Sequence, residues 1–228
     1  MAFRKKAEFI LNHQPDILII PECESPEKLK FGNSQLLPTD MFWIGDNKNK
    51  GLGVLSFGDY RFSLLDKHNS DLKNILPLKV TNNSHSFSLF AIWANNPKDK
   101  DGCYITQVWK AINHYQHLIS DEKIILIGDF NSNKIWDKHY RKDNHSDVVK
   151  LLENKNIYSI YHHYYQEQHG QEQFPTFFMY RKEDKPYHID YCFTSKDFYQ
   201  KLKSVEVGNF SEWSKLSDHV PFIITFDS

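Results

Sequence analysis

In the stretch IILIGDFNSN (124–133), a run of apolar β-formers stops at Gly128, and a carboxylate, Asp129, and an amide, Asn131, follow two residues apart. The pattern recurs along the chain. ILIIPECE ends in Glu22 and Glu24, YHIDY carries Asp190 inside an apolar stretch, and KLSDHVPF places Asp218 and His219 just before the last apolar run. Residues two apart on a strand face the same side. Alternation therefore predicts that Asp129 and Asn131 present a base and a neutral donor to one spot, and that Glu22 and Glu24 share a side. Taken singly, each polar residue is most simply a turn residue or a helix cap. Asp190 fits that reading less well, because a carboxylate amid HIDYCF is half-buried and costly unless paired. A buried Asp commonly orients a His, and His219 is the natural partner. Taken together, the groups describe a metal-assisted phosphoryl site. One or two carboxylates and several waters hold Mg²⁺, an Asp deprotonates the attacking water, and an Asn and a His stabilise charge on phosphate oxygens.

Such residues work together only if the elements carrying them converge. Residues 3–13 have helical periodicity, with Phe3, Ala7, Ile10 and Leu11 on one face, Arg4, Lys5, Lys6 and Glu8 elsewhere, and Pro15 as the stop. The runs at 16–20, 41–45, 52–57, 61–65, 76–80, 86–93, 123–128, 187–195, 203–208 and 220–226 read as strands. The clearest helix is 103–119, where Ile105, Val108, Trp109, Ile112, Tyr115 and Ile119 repeat at helical spacing. A shorter helix is predicted over 146–156, with Ser146 as its N-cap. Strands outnumber helices and often follow one another directly. This favours two mixed, mainly antiparallel sheets with helices outside over strict βαβ alternation.

The 228 residues, 40% hydrophobic, suit one sizeable domain spanning 1–228. With a net charge of −1, no global positive field draws the protein onto nucleic acid, so any such binding rests on a local patch. The 3 cysteines, without a CxxC pair, point to a reducing, cytoplasmic setting rather than a disulfide framework. The basic and then apolar N-terminus is interrupted by His13, Gln14, Pro15 and Asp16, unlike a signal peptide. No apolar run reaches transmembrane length.

The segments PDILIIPE, KGLGVLSF, ILIGDFNS, HIDYCF and LSDHVPF resemble, in the same order, the motifs of the endonuclease/exonuclease/phosphatase superfamily, which includes exonuclease III-like and DNase I-like enzymes. The resemblance covers nearly the whole chain. It implies an α+β fold, a four-layer α/β/β/α sandwich with the site at one rim. It also implies Mg²⁺- or Mn²⁺-dependent hydrolysis of phosphodiester bonds. By the match, Glu22 is the metal-binding Glu, though Pro21 precedes it where the family usually has Gln. Asp129 is the water-activating Asp, Asn131 the phosphate-contacting Asn, Asp190 the support of the catalytic His219, and Asp218 the Asp near the metal. Two departures stand out. The family normally opens with a strand ending in Asn, and this chain begins at the following helix; because an empty interior strand slot would expose unpaired backbone and core, an incomplete N-terminus is expected over a chain that does without that strand. Trp93 stands about where the family has a His or a Tyr, and Asn95 and Asn96 follow it as candidate substrate contacts.

Specificity in the family lies in loops. Residues 174–186 and 208–215 flank the expected site. There Phe177, Phe178, Tyr180 and Trp213 could stack on bases, and Arg181, Lys182 and Lys215 could meet phosphates. Core packing and solvated charge are the plainer alternatives. His162, His163 and His169 lie in a segment (161–173) that reads as a polar surface loop rather than a second metal site, with no Cys or close carboxylate expected to complete a chelate. The leading expectation is a nuclease acting on DNA or RNA, with no membrane and no obligate protein partner. The alternatives are a phosphomonoesterase on a small phosphorylated molecule, or a catalytically impaired nucleic-acid- or protein-binding member of the family.

Overall fold

In the computed structural model, residues 3–65, 69, 71–72, 75–95, 104–119 and 123–227 are described. The first half contains α1 (Ala7–Leu11), β1 (Ile17–Cys23), β2 (Asp40–Asn47), β3 (Lys50–Ser56), β4 (Arg61–Leu64), β5 (Ile75–Thr81), β6 (Ser86–Trp93) and α2 (Ile105–His114). The second half contains β7 (Ile124–Asp129), α3 (His145–Glu153), β8 (Ile157–Ser159), α4 (Ile160–Tyr165), β9 (Phe177–Phe178), β10 (Pro186–Tyr187), β11 (Asp190–Ser195), α5 (Lys196–Tyr199), β12 (Leu202–Val207), α6 (Phe210–Trp213) and β13 (Phe222–Phe226). Among the described residues, no helix is long and apolar enough to cross a membrane.

A six-stranded sheet, in the order β4-β5-β6-β7-β11-β8, forms the centre. Its pairings are antiparallel except β6 with β7, which run parallel because α2 carries the chain back between them. Central β6 is buried on both faces, so SFSLFAIW is apolar almost throughout instead of alternating. Phe90, Ile92, Leu126, Tyr191 and Phe193 on one face pack on Val108, Ala111 and Ile112 of α2 and Val148 and Leu152 of α3. Leu89, Ala91, Trp93 and Cys192 on the other face pack with Leu52 and Val54 of β3 and Val205 of β12. Beyond that second layer, Phe3 and Ala7 cover Ile20, Cys23 and Leu55. Four layers result: helices, six-stranded sheet, second strand layer and the N-terminal helical segment. Each buried large apolar side chain contributes about 1.5–3 kcal/mol.

The second strand layer is two antiparallel sheets, β1-β3-β2 and β12-β13, so β1 and β13 each pair along one edge only among the described residues. Several local expectations change. The N-terminal helix is a 3-10 turn (Phe3–Lys5) followed by the short α1, and Lys6 between them turns inward. The long helix ends at His114, although Tyr115 and Ile119 stay buried beyond it; Cys103 lies outside the described residues. The N-cap of α3 is Asn144 rather than Ser146. The Asp137 carboxylate accepts from the N–H groups of His145 (2.9 Å) and Ser146 (3.2 Å), and Asp147 accepts from that of Asn144 (2.9 Å). Residues 160–165 form α4, with Ile160 and Tyr161 fully buried, where a surface loop was expected. An amphipathic period is hard to read in IYHHYY because aromatic and imidazole side chains suit either environment.

Candidate active site

Gly128 makes the end of β7 possible. Its φ of 141° suits glycine, and a β-carbon there would lie 2.0 Å from the Ile92 carbonyl oxygen of β6. Only glycine lets the two strands approach this closely where Asp129 begins. Phe130, fully buried against Tyr191 with ring centroids 5.6 Å apart, anchors the turn. Asn131 then takes a left-handed φ of 46°, which Asn tolerates better than most residues. Asp129 and Asn131 meet through this turn rather than through strand alternation. The Asn131 N–H donates to Asp129 Oδ1 (2.8 Å) and its Nδ2 to Asp129 Oδ2 (2.8 Å) and the Ala94 carbonyl (3.1 Å). The amide hydrogens are thus committed to Asp129 and the backbone. Asn131 fixes the orientation of Asp129 in this state, instead of offering a donor to an open spot.

Asp190 stands directly opposite Asp129 in the β11–β7 register. Its Oδ2 lies 2.9 Å from Nδ1 of His219, so the expected pair forms. Thr176 Oγ1 fixes the strand entry by accepting from the N–H groups of Ile189 (3.0 Å) and Asp190 (3.1 Å). The His219 N–H donates to Ser217 Oγ (3.2 Å), and its ring lies against Phe177, with centroids 4.8 Å apart. These contacts hold the imidazole with Nδ1 toward Asp190, which leaves Nε2 for a substrate. Asp129 is 3% exposed. Burial first, and then the charge of Asp190, lift its carboxyl to about 8, against the pull of His219 and the Asn131 N–H. Burial works to lower His219, but Asp190, Asp129 and Asp218 override it and lift its imidazole to about 9.

Glu22 and Glu24 do not share a side. The β1–β3 register shifts between Pro21 and Cys23, and Glu22, at φ 60°, sits on the bulge, which breaks the two-residue alternation. Glu24 is buried and structural: it accepts from the Phe3 N–H (2.8 Å) and pairs with Arg4. Glu22 is 39% exposed and holds Lys50 Nζ at 2.6 Å, while that ammonium lies 5.3 Å from the centroid of the Trp93 ring. Burial works to raise Glu22, and the Lys50 hydrogen bond overrides it, so its carboxyl stays below its ordinary value. Lys6 is the residue that periodicity misplaced. Burial lowers its pKa, against the opposing pull of Asp218, Asp190 and Glu22, and its Nζ reaches Ser217 Oγ at 3.4 Å. No local signal marks Lys6, because its hydrogen-bond partner Ser217 lies 211 residues away in sequence.

Asp190, His219 and Glu22 therefore lie close enough to act on the charge of Asp129, and Asp190, Asp129 and Asp218 close enough to act on that of His219. Glu22 and Asp218 supply hard oxygen donors, and Glu22 is partly open to solvent, which fits a cation bound through one or two carboxylates and waters. Lys50 is the group such a cation would displace. Among the described residues, these carboxylates do not gather into a tight three-ligand set; His162, His169 and Glu172 do. Of the substrate candidates, Trp213 is 5% exposed and packs with Phe178 and Val220, so it belongs to a local core and presents little ring to a base. Tyr180 is 76% exposed, and it and Arg181 adopt left-handed φ values of 58° and 55° at the loop between β9 and β10, where Lys182 is also exposed. Asn95 is half-buried just past β6, and Asn96 lies outside the described residues.

No protein-family model matches the chain, and no curated protein matches it. Solved structures do share its fold. A Neisseria 3′ phosphatase, NExo, bound to a product DNA hairpin is 17% identical with a TM-score of 0.63, the match covering 100% of this chain and 96% of that one. An AP endonuclease from Archaeoglobus fulgidus is 13% identical with a TM-score of 0.69 over 100% and 96%. The endonuclease domain of TRAS1, a telomere-specific non-LTR retrotransposon, is 13% identical with a TM-score of 0.61 over 99% and 95%. At these identities the likeness is one of fold: the α+β, DNase I-like sandwich of exonuclease III and AP endonuclease proteins.

Proposed function

We propose that this chain, built on the DNase I-like sandwich, hydrolyses phosphodiester bonds of DNA or RNA with the help of Mg²⁺ or Mn²⁺. The observation that carries the reading is the meeting of Asp129, held by Asn131, with the Asp190–His219 pair, one from each of two neighbouring strands and the last from the chain's final turn. In this reading Asp129 takes a proton from the attacking water, and its elevated pKa suits a base working near neutrality. The protonated His219, fixed through Nδ1 by Asp190, offers Nε2–H to a phosphate oxygen as charge builds on it. Asn131 keeps the carboxylate aimed. Glu22 and Asp218 would hold the cation, which supplies charge neutralisation at the phosphate and a lower pKa for bound water.

The test is cleavage of single- and double-stranded DNA, RNA and a simple phosphodiester reporter, with Mg²⁺ or Mn²⁺ and with chelator. Chelation is expected to abolish turnover and either ion to restore it. Asp129→Asn and His219→Ala are expected to lower kcat by about 10²–10⁴-fold each. Cleavage that persists in chelator, or full activity in both variants, would overturn the proposal. Phosphate release from 3′-phosphorylated oligonucleotides with intact strands would move the assignment to a phosphomonoesterase. A second reading has its own observation: Lys6 and Lys50 place ammonium groups among the carboxylates. Saturable nucleic-acid binding without turnover would favour a binding protein in which lysines stand in for the cation.

A further inference from the structure

Four imidazoles and a carboxylate gather in a second place, around the Tyr191 ring of β11. His145 opens α3, His162 lies on α4, and His169 and Glu172 sit in the segment after α4. His162 Nε2 is 3.0 Å from Glu172 Oε1, and His145 Nε2 is 3.0 Å from His169 Nδ1. His162 and His169 stack with ring centroids 3.5 Å apart and 23° between planes, which turns their edges in parallel. The ligand atoms of His162, His169 and Glu172 lie within 4.8 Å of one another. The side chains of His162 and Glu172 are 9% and 4% exposed, and His145 is 1% exposed. His188 closes the group against Tyr191, with ring centroids 4.9 Å apart. Among the described residues, buried Nδ1 of His145 and Nε2 of His188 have no hydrogen-bond partner.

We propose that His162, His169 and Glu172 form a Zn²⁺ site. It is independent of the hydrolytic reading above. The ring nitrogens sort into inner and outer roles. His162 engages Ser159 Oγ through Nδ1 (2.7 Å) and His169 engages His145 through Nδ1, which leaves Nε2 of each ring as the ligand atom, that of His162 already 3.0 Å from Glu172 Oε1. Metal-bound histidines are oriented this way by a partner on the second nitrogen. Tetrahedral zinc at about 2.0–2.1 Å from nitrogen sets neighbouring ligand atoms about 3.4 Å apart. The His162–Glu172 pair, at 3.0 Å, is already near that spacing, and the His169 ligand atom lies within 4.8 Å of both. Two imidazoles and one carboxylate suit zinc, whereas Mg²⁺ favours oxygen donors. The carboxylate also links the two sites. Asn133, two residues beyond Asn131, donates to Glu172 Oε2 (3.1 Å) and to the His188 carbonyl (2.9 Å). Zinc there would tie α3 and α4 to the turn that carries Asp129 and to the entry of β11.

The experiment is titration of Zn²⁺, and of Co²⁺ as an optical probe, into metal-stripped full-length protein with Mg²⁺ in excess. One equivalent of Zn²⁺ and the intense visible bands of tetrahedral Co²⁺ are expected. Both should be lost in His169→Ala and Glu172→Gln and retained in Glu22→Gln and Asp218→Asn. His145→Ala should weaken zinc by about 10–100-fold. If the ligand variants fail to fold, X-ray absorption of the zinc-loaded wild type decides: an imidazole-containing shell is expected, and a purely oxygen shell overturns the site. Folded wild type that takes up no zinc overturns it as well, as does zinc binding lost in Glu22→Gln but kept in His169→Ala.

Discussion

Asp129 and His219 must hold opposite protonation states for the proposed chemistry. Asp129 acts without its proton, so the rate rises as pH passes upward through its elevated value of about 8. His219 acts with its proton, so the rate falls as pH passes through its value of about 9. The expected kcat/KM profile is a narrow bell with a mildly alkaline optimum, read from initial rates between about pH 6 and pH 11. His219→Asn should erase the alkaline limb and leave the acid one. A profile that stays flat across this range would show that neither group titrates in the rate-determining step. The two groups raise one problem together, since the Asp190 carboxylate that favours the His219 proton also disfavours the ionisation of Asp129. Asn131 eases it by donating two hydrogen bonds to the Asp129 carboxylate.

At the scale of elements, the ends of β7 and β11 and the turn before β13 bring the site together, and α3 and α4 brace that arrangement from behind. Helix α3 begins under an unusual cap, a carboxylate from Asp137 that lies eight and nine residues before the N–H groups it satisfies in sequence reach terms. Asp137→Ala removes the acceptor for two helix-terminal donors and its charge at the positive end of the helix. It should cost about 1–2 kcal/mol, visible as a lowered urea midpoint with an unchanged m-value. Because His145 is the first residue of that helix, the same variant should weaken zinc binding if the cap is what seats the imidazole. Half of the left-handed non-glycine residues among the described residues fall at the proposed site, the others being Gln14, Tyr104, Asn156 and Gln166. Left-handed φ values at Glu22, Asn131, Tyr180 and Arg181 fall on the candidate cation ligand, the turn behind the base and the exposed loop between β9 and β10.

Across the whole molecule, a net charge of −1 means that attraction to nucleic acid is local. If Arg181, Lys182 and Lys215 supply the phosphate contacts, log K should fall with log salt at a slope of about −2 to −3, and Arg181→Ala should reduce that slope by about 0.9. Fluorescence anisotropy with a labelled oligonucleotide at several salt concentrations measures it. A slope near −8 would place binding on a much wider basic surface. The second strand layer bears on the same scale. With β1 and β13 paired on one edge each among the described residues, the layer that carries Glu22 is held to the six-stranded sheet by side-chain packing around Leu52, Val54 and Val205.

Most strands and the order of the site motifs were legible in the sequence because buried strands leave continuous apolar runs, and because GDFN and SDH place unusual polar groups where those runs stop. The two-sheet α+β reading followed from those runs, and the four-layer sandwich from the family resemblance that the motifs carry. Tertiary structure decided what depends on contacts between distant segments or on single backbone angles. The bulge at Glu22 separated it from Glu24, and the left-handed turn at Asn131 aimed its amide at Asp129. Lys6 left its helix surface for a half-buried place among acids. Glu172 joined His162 and His169 in a segment that reads as loop, since a ligand set drawn from one helix and an irregular stretch has no period to reveal it. Local periodicity records which faces are apolar; it carries no information on which polar side chains those faces bring together.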